Sequence, residues 1–101
     1  MEQVTKIVVR NGEIKIHHAT KVIDKRDCYA FEFDNIYKGR TDWCVKKGYL
    51  SRVLNNQLSC LLYVSTAKFN QDNDLWINKV VEEYNNRYEH YYWYRKPKLV
   101  I

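Results

Sequence analysis

Asn11-Gly12 stands between two stretches of alternating apolar and polar residues, and it constrains the fold more than any other feature of the chain. A two-residue type I′ hairpin turn needs positive φ at both central positions, which Asn and Gly adopt with the least penalty. A turn there sets the register: Arg10 faces Glu13, Val9 faces Ile14 and Ile7 faces Ile16. One face of the hairpin collects Ile7, Val9, Ile14 and Ile16. The other carries Lys6, Arg10, Glu13, Lys15 and His17, with Val8 the one apolar residue among them.

The alternation predicts more sheet downstream. Residues 19–26 read as a continuation, and residues 28–34 place Tyr29, Phe31 and Phe33 on one side and Glu32 and Asp34 on the other. A polar, basic connection covers 35–40, and residues 41–47 read as a short edge strand guarded by its lysines. After Gly48 the period changes. Leu50, Val53, Leu54, Leu58, Leu61 and Leu62 repeat at helical spacing, which predicts a helix over 50–65; a hairpin turning at Asn55-Asn56 is the alternative.

Residues 70–74 form a polar linker able to supply an N-cap and first-turn acids. From Ile77 the residues Val80, Val81, Tyr84, Tyr88, Tyr91 and Tyr92 lie within an arc of about 120°, predicting a second helix over 77–92. Pro97 stops it, and Lys98 to Ile101 are expected to return as a terminal strand. The expected fold is therefore α+β in a single domain, 1–101: an amino-terminal antiparallel β-meander of three or four strands packed on two carboxyl-terminal helices.

The chemistry-bearing residues form no catalytic signature. His17 and His18 point to opposite faces of one strand, and Cys28, Cys44 and Cys60 lie sixteen residues apart, unlike the close pairs of a zinc site, so no metal or cofactor is expected. Glu13-x-Lys15 resembles a nuclease element only superficially, since no second acid stands beside it. A cross-strand ion pair of Glu13 with Arg10 is the simpler reading. The three glycines form no phosphate loop. No apolar run approaches the ~20 residues of a membrane span. With an odd number of cysteines and no secretory pattern at the amino end, the expected compartment is the cytoplasm, or a host cytoplasm for a viral protein.

Charge carries the functional reading. The net charge is +5, which favours acidic partners. Asn, Lys, Ile and Tyr supply nine, eleven, seven and nine residues, against seven for Ala, Gly and Pro together, so an AT-rich coding sequence also accounts for part of the lysine. Over residues 84–101 four cations face one acid among six aromatics, a mixture suited to single-stranded nucleic acid or to a protein interface. Tyr84, Tyr88 and Tyr91 belong to the helical arc; Trp93, Tyr94, Arg95, Lys96 and Lys98 lie beyond it and are the candidate contact residues. A second basic cluster comprises Lys38, Arg40, Lys46, Lys47 and Arg52, opposed only by Asp42 within residues 36–52.

Three function classes follow. The first is a small non-enzymatic interaction protein of phage or mobile-element origin. It would bind a host protein or ribonucleoprotein through an acidic or nucleic-acid-binding surface and inhibit or redirect it. Anti-CRISPR proteins exemplify that strategy, an analogy of size and composition alone. The second is a direct, regulatory nucleic-acid binder, and the third a small toxin-like ribonuclease.

Overall fold

The alternation about Asn11-Gly12 builds the centre of the molecule. In the computed structural model, which describes residues 3–33 and 45–100, β1 (Val4–Arg10) and β2 (Glu13–Asp24) pair antiparallel. Arg10 stands opposite Glu13, Val9 opposite Ile14 and Ile7 opposite Ile16, as the turn chemistry requires. Asn11 and Gly12 have φ of 52° and 74°, both left-handed.

β2 is long enough to do two things. Its first half pairs with β1, and a register shift between Ala19 and Lys21 bends it so that its second half pairs with β3 (Cys28–Phe33). Irregularities of this kind raise local twist and turn a strand out of the plane of its neighbours. β3 in turn pairs with the two-residue edge strand β4 (Val45–Lys46), followed by a 3₁₀ turn over Lys47–Tyr49. The connection at 35–40, residues 41–44 of the expected edge strand, Lys38, Arg40 and Cys44 lie outside the described residues.

The segment 50–65 is a hairpin and not a helix. β5 (Val53–Asn56) and β6 (Ser59–Ser65) pair antiparallel, and β6 lies against β1 with Ile7 opposite Leu62 and Arg10 opposite Ser59. The turn falls at Gln57-Leu58, two residues beyond the alternative site at Asn55-Asn56, with Leu58 at a φ of 56°. The physical reason is burial on both sides. Cys60, Leu62 and Val64 pack under the helices while Leu61 and Tyr63 face the other side of the sheet. A strand covered on both faces reads as an unbroken apolar run, which periodicity does not separate from a helix.

The sheet order among the described strands is β4-β3-β2-β1-β6-β5. It is a curled, mainly antiparallel sheet of more strands than a three- or four-strand meander. Two helices cover one face. The Ser65 hydroxyl accepts from the Lys68 N–H to start α1 (Thr66–Gln71), and the Asp72 carboxylate accepts from the Leu75 N–H to start α2 (Asn73–Tyr88). Val80 and Tyr84 of α2 are fully buried against Ile7, Val9, Ile14, Leu62 and Val64. A second apolar cluster, with Phe31, Phe33 and Tyr63 at its heart, fills the fold between β3 and the opposite face.

α2 ends at Tyr88, four residues short of the expected stop. Turn bonds from the Tyr91 N–H to the Tyr88 carbonyl and from the Tyr94 N–H to the Tyr91 carbonyl reverse the chain. Tyr91 is therefore half out of the surface and Tyr92 fully exposed, rather than on the buried arc. Tyr94 comes back to pack beside Tyr84, its hydroxyl 2.5 Å from Asn85 Oδ1. The expected terminal strand is present as β7 (Lys98–Leu99), which pairs parallel with the start of β2. Its bonds run from the Lys98 N–H to the Gly12 carbonyl and from the Val100 N–H to the Ile14 carbonyl.

Candidate functional site

The side of the sheet away from α2 holds a cleft of about 540 Å³. Its floor follows from strand register. Lys6 stands opposite Tyr63; Val8 lies in a row with Leu61 and Leu54; Arg10 lies in a row with Ser59 and Asn56. Cation, apolar interval and cation thus succeed one another along β1 because every second residue points the same way. One wall is supplied by Val45, Lys46 and Tyr49, which β3 and the curl of the sheet bring over the floor.

The lining contains Lys6, Arg10 and Lys46 and no carboxylate among the described residues. Lys6 is buried, and its Nζ lies 5.7 Å from the Phe33 ring centre and 5.6 Å from that of Tyr63. Aromatic faces hold a cation where water is scarce. The expected pairing of Arg10 with Glu13 does not form; Glu13 sits 3.5 Å from Lys15, leaving Arg10 with no ion pair among the described residues. Neighbours on one strand face have won over the cross-strand partner.

The polar lining donates. Asn55 Oδ1 accepts from the Cys60 thiol at 3.1 Å and Asn56 Oδ1 accepts from the Gln57 N–H at 2.9 Å. Asn55 thus turns with Cys60 to the helix-covered face, while Asn56, its oxygen occupied, offers its amide NH₂ group to the cleft. A cleft built from ammonium, guanidinium and amide donors suits a ligand rich in acceptors, above all phosphate.

The residues expected from sequence are dispersed. Of the described members of the basic cluster, Lys46 alone lines the cleft. Lys47 turns away to Asp24, 2.7 Å distant, and lies 4.9 Å from the Tyr29 ring centre; the Asp24 carboxylate raises its pKa. Trp93 stacks on Tyr91 at 5.1 Å and packs against Tyr88. Tyr94 is half-buried and packs against the main core, and desolvation raises its phenol pKa. Arg95 lies against the hairpin turn, where a Cβ added to Gly12 would come within 2.7 Å of the Arg95 Cβ. Arg95, Lys96 and Lys98 are exposed.

Lys6, Arg10, Tyr49 and Asn56 were not legible as a site, because they meet only through the pairing of β1 with β6 and of β6 with β5, and through the curl of β3 and β4. The one sequence signal for them was the basic character of the hairpin's second face.

Burial pushes the Cys60 thiol up to about 11, which keeps it protonated and inert. His17 packs on Phe33, and His18 accepts from or donates to the Thr5 hydroxyl at 2.8 Å and packs on Phe69, so the two rings lie on opposite faces. Among the described residues no three His, Cys, Asp or Glu side chains gather as a metal site would need, and no helix is long and apolar enough to cross a membrane. Compared with models of protein families, with curated proteins and with solved structures, the chain matches none.

Proposed function

We propose that this protein binds nucleic acid through the cleft on the open face of its sheet. The observation that carries the reading is the lining itself: three cations and the Asn56 amide line a concavity of about 540 Å³ with no carboxylate among its described residues. Scattered surface lysines alone would carry little weight, but cations held on a rigid sheet and steadied by aromatic rings form a built surface. The net charge of +5 adds long-range attraction for a polyanion.

The test is fluorescence anisotropy of a labelled oligonucleotide across a salt series, with Arg10→Glu/Lys46→Glu beside the parent protein. The parent should show a linear fall of log affinity with log salt concentration. The double variant should bind at least about tenfold more weakly, with a shallower slope, because two phosphate contacts become repulsive. Equal binding and an equal slope would remove the cleft as the site.

A second reading keeps the carboxyl end. Tyr92 is 100% exposed beside Tyr91, which stacks on Trp93, with Arg95 and Lys96 following, and Tyr, Trp and Arg dominate protein–protein hot spots. On that reading the protein binds and inhibits or redirects a nucleic-acid-handling protein, and Arg95→Glu/Lys96→Glu is the variant that loses the partner.

A further inference from the structure

We infer that the cleft takes unpaired nucleotides, with Tyr49 as the stacking platform for one base; this rests on the nucleic-acid reading of the same cleft. Three observations point there. The first is shape. Proteins read duplex DNA by inserting a helix or a ribbon into its grooves, which calls for a protrusion, whereas this surface is a concavity between a sheet floor and the wall of Val45, Lys46 and Tyr49. A paired helix spans the rim of such a cleft without reaching its floor; a single strand enters.

The second is the order of chemistry along the floor. Lys6 and Arg10 are four residues apart on one strand face, roughly 13 Å at the rise of an extended chain. Between them lies the apolar row of Val8, Leu61 and Leu54. A phosphate belongs at the exposed Arg10 end and an apolar, flat group beside it, which is the alternation a single strand presents and a duplex hides. The amide NH₂ group of Asn56 stands at the Arg10 end, where base carbonyls or phosphate oxygens would accept from it.

The third is Tyr49. Its ring lines the cleft yet stays 42% exposed. Its backbone is held by the 3₁₀ turn over Lys47–Tyr49, with the Arg52 N–H donating to the Tyr49 carbonyl and the Ser51 N–H to the Tyr63 carbonyl. Lys46 Nζ lies 6.0 Å and Arg52 Cζ 5.6 Å from the ring centre. A rigidly mounted, half-exposed ring attended by two cations is the pairing of base platform and phosphate clamp that single-strand binders use. Arg52 extends the platform, since a guanidinium plane also stacks on a base.

The experiment measures anisotropy of a labelled oligothymidylate dodecamer, single-stranded and annealed to oligoadenylate, at one salt concentration and across a salt series. The proteins are the parent, Tyr49→Leu and Tyr49→Phe, each checked by thermal melting. The parent should bind the single strand at least about tenfold more tightly than the duplex. Tyr49→Leu should lose about tenfold for the single strand with an unchanged salt slope, because stacking releases no counterions, and leave the weak duplex binding as it was. Tyr49→Phe keeps the ring and should bind like the parent. Equal or tighter duplex binding, or parent-like single-strand binding by folded Tyr49→Leu, would overturn the inference while leaving the cleft as a polyanion site. Should Tyr49→Leu not fold, Tyr49→Phe and the strand preference of the parent decide: a Tyr49→Phe variant that loses binding would tie the effect to the hydroxyl and overturn the stacking role. A parent protein that binds neither form fails the nucleic-acid reading itself.

Discussion

On β1, Ile7 and Val9 are sealed from solvent beneath α2, whereas Val8 and Arg10, each one residue away from Val9, open onto the cleft. The two faces of the sheet are built from the same strands but are closed by different means. α2 lays Val80 and Tyr84 over one face, and the returning carboxyl segment completes that layer with Tyr94. Among the described residues the other face is closed by the sheet's own curl, which brings Phe31 and Phe33 over Tyr63 and Val4 and leaves Val8 and Arg10 on the cleft. A chain of this length supplies one long helix and therefore one complete cover. Arg10 and Lys46 are tolerated on the cleft because their charged ends still reach water, and Lys6 because aromatic rings hold it.

That contrast breaks most readily at Tyr84. Truncation to Ala removes a fully buried ring from the helix-covered face and should lower stability by ~3–5 kcal/mol in urea denaturation. Leu54→Ala on the half-buried cleft floor should lose distinctly less, and equal losses would mean that the two faces are equally closed.

A smaller effect is expected at the turn that assigns residues to their faces. Gly12 has a φ of 74°, and a Cβ there would meet the Arg95 Cβ at 2.7 Å and the Arg95 carbonyl oxygen at 3.3 Å. Gly12→Val should cost about 2 kcal/mol, the penalty for a β-branched residue at positive φ together with displacement of the carboxyl segment. The amides of Lys98 and Val100, bonded to the Gly12 and Ile14 carbonyls, should then exchange faster with solvent. An unchanged denaturation midpoint with unchanged exchange would show that the strap is independent of the turn.

The smallest effect sharpens the account of the closed face. The Tyr84 hydroxyl is buried without a hydrogen-bond partner among the described residues, which stores the desolvation penalty of a polar group. Tyr84→Phe keeps the ring and deletes that group, so the urea midpoint should stay level or rise by up to about 1 kcal/mol equivalent. A loss larger than that would reveal a partner for the hydroxyl and a wetter core than the packing implies.

The first hairpin was readable because its determinants are adjacent: positive φ at Asn11-Gly12 and alternation on either side decide turn, register and faces within a dozen residues. The start of α2 was readable for the same reason, Asp72 capping a stripe at helical spacing. The second hairpin was not, since Leu58 at φ 56° bears no turn signature and β6 is apolar on both faces because both are covered. Nor was the end of α2, which depends on Tyr94 returning to the core beside Tyr84. The cleft lay furthest from reach. Lys46 was visible as one of several loop cations, but Lys6 and Arg10 gain their neighbours Tyr63 and Ser59 only when β1 pairs with β6 across most of the chain, and Tyr49 joins them only when the sheet curls. Steric preferences of adjacent residues act over a few bonds and leave their mark in the sequence. A site assembled by strand pairing over long separations depends on which surfaces burial brings together, and that is decided by the tertiary fold alone.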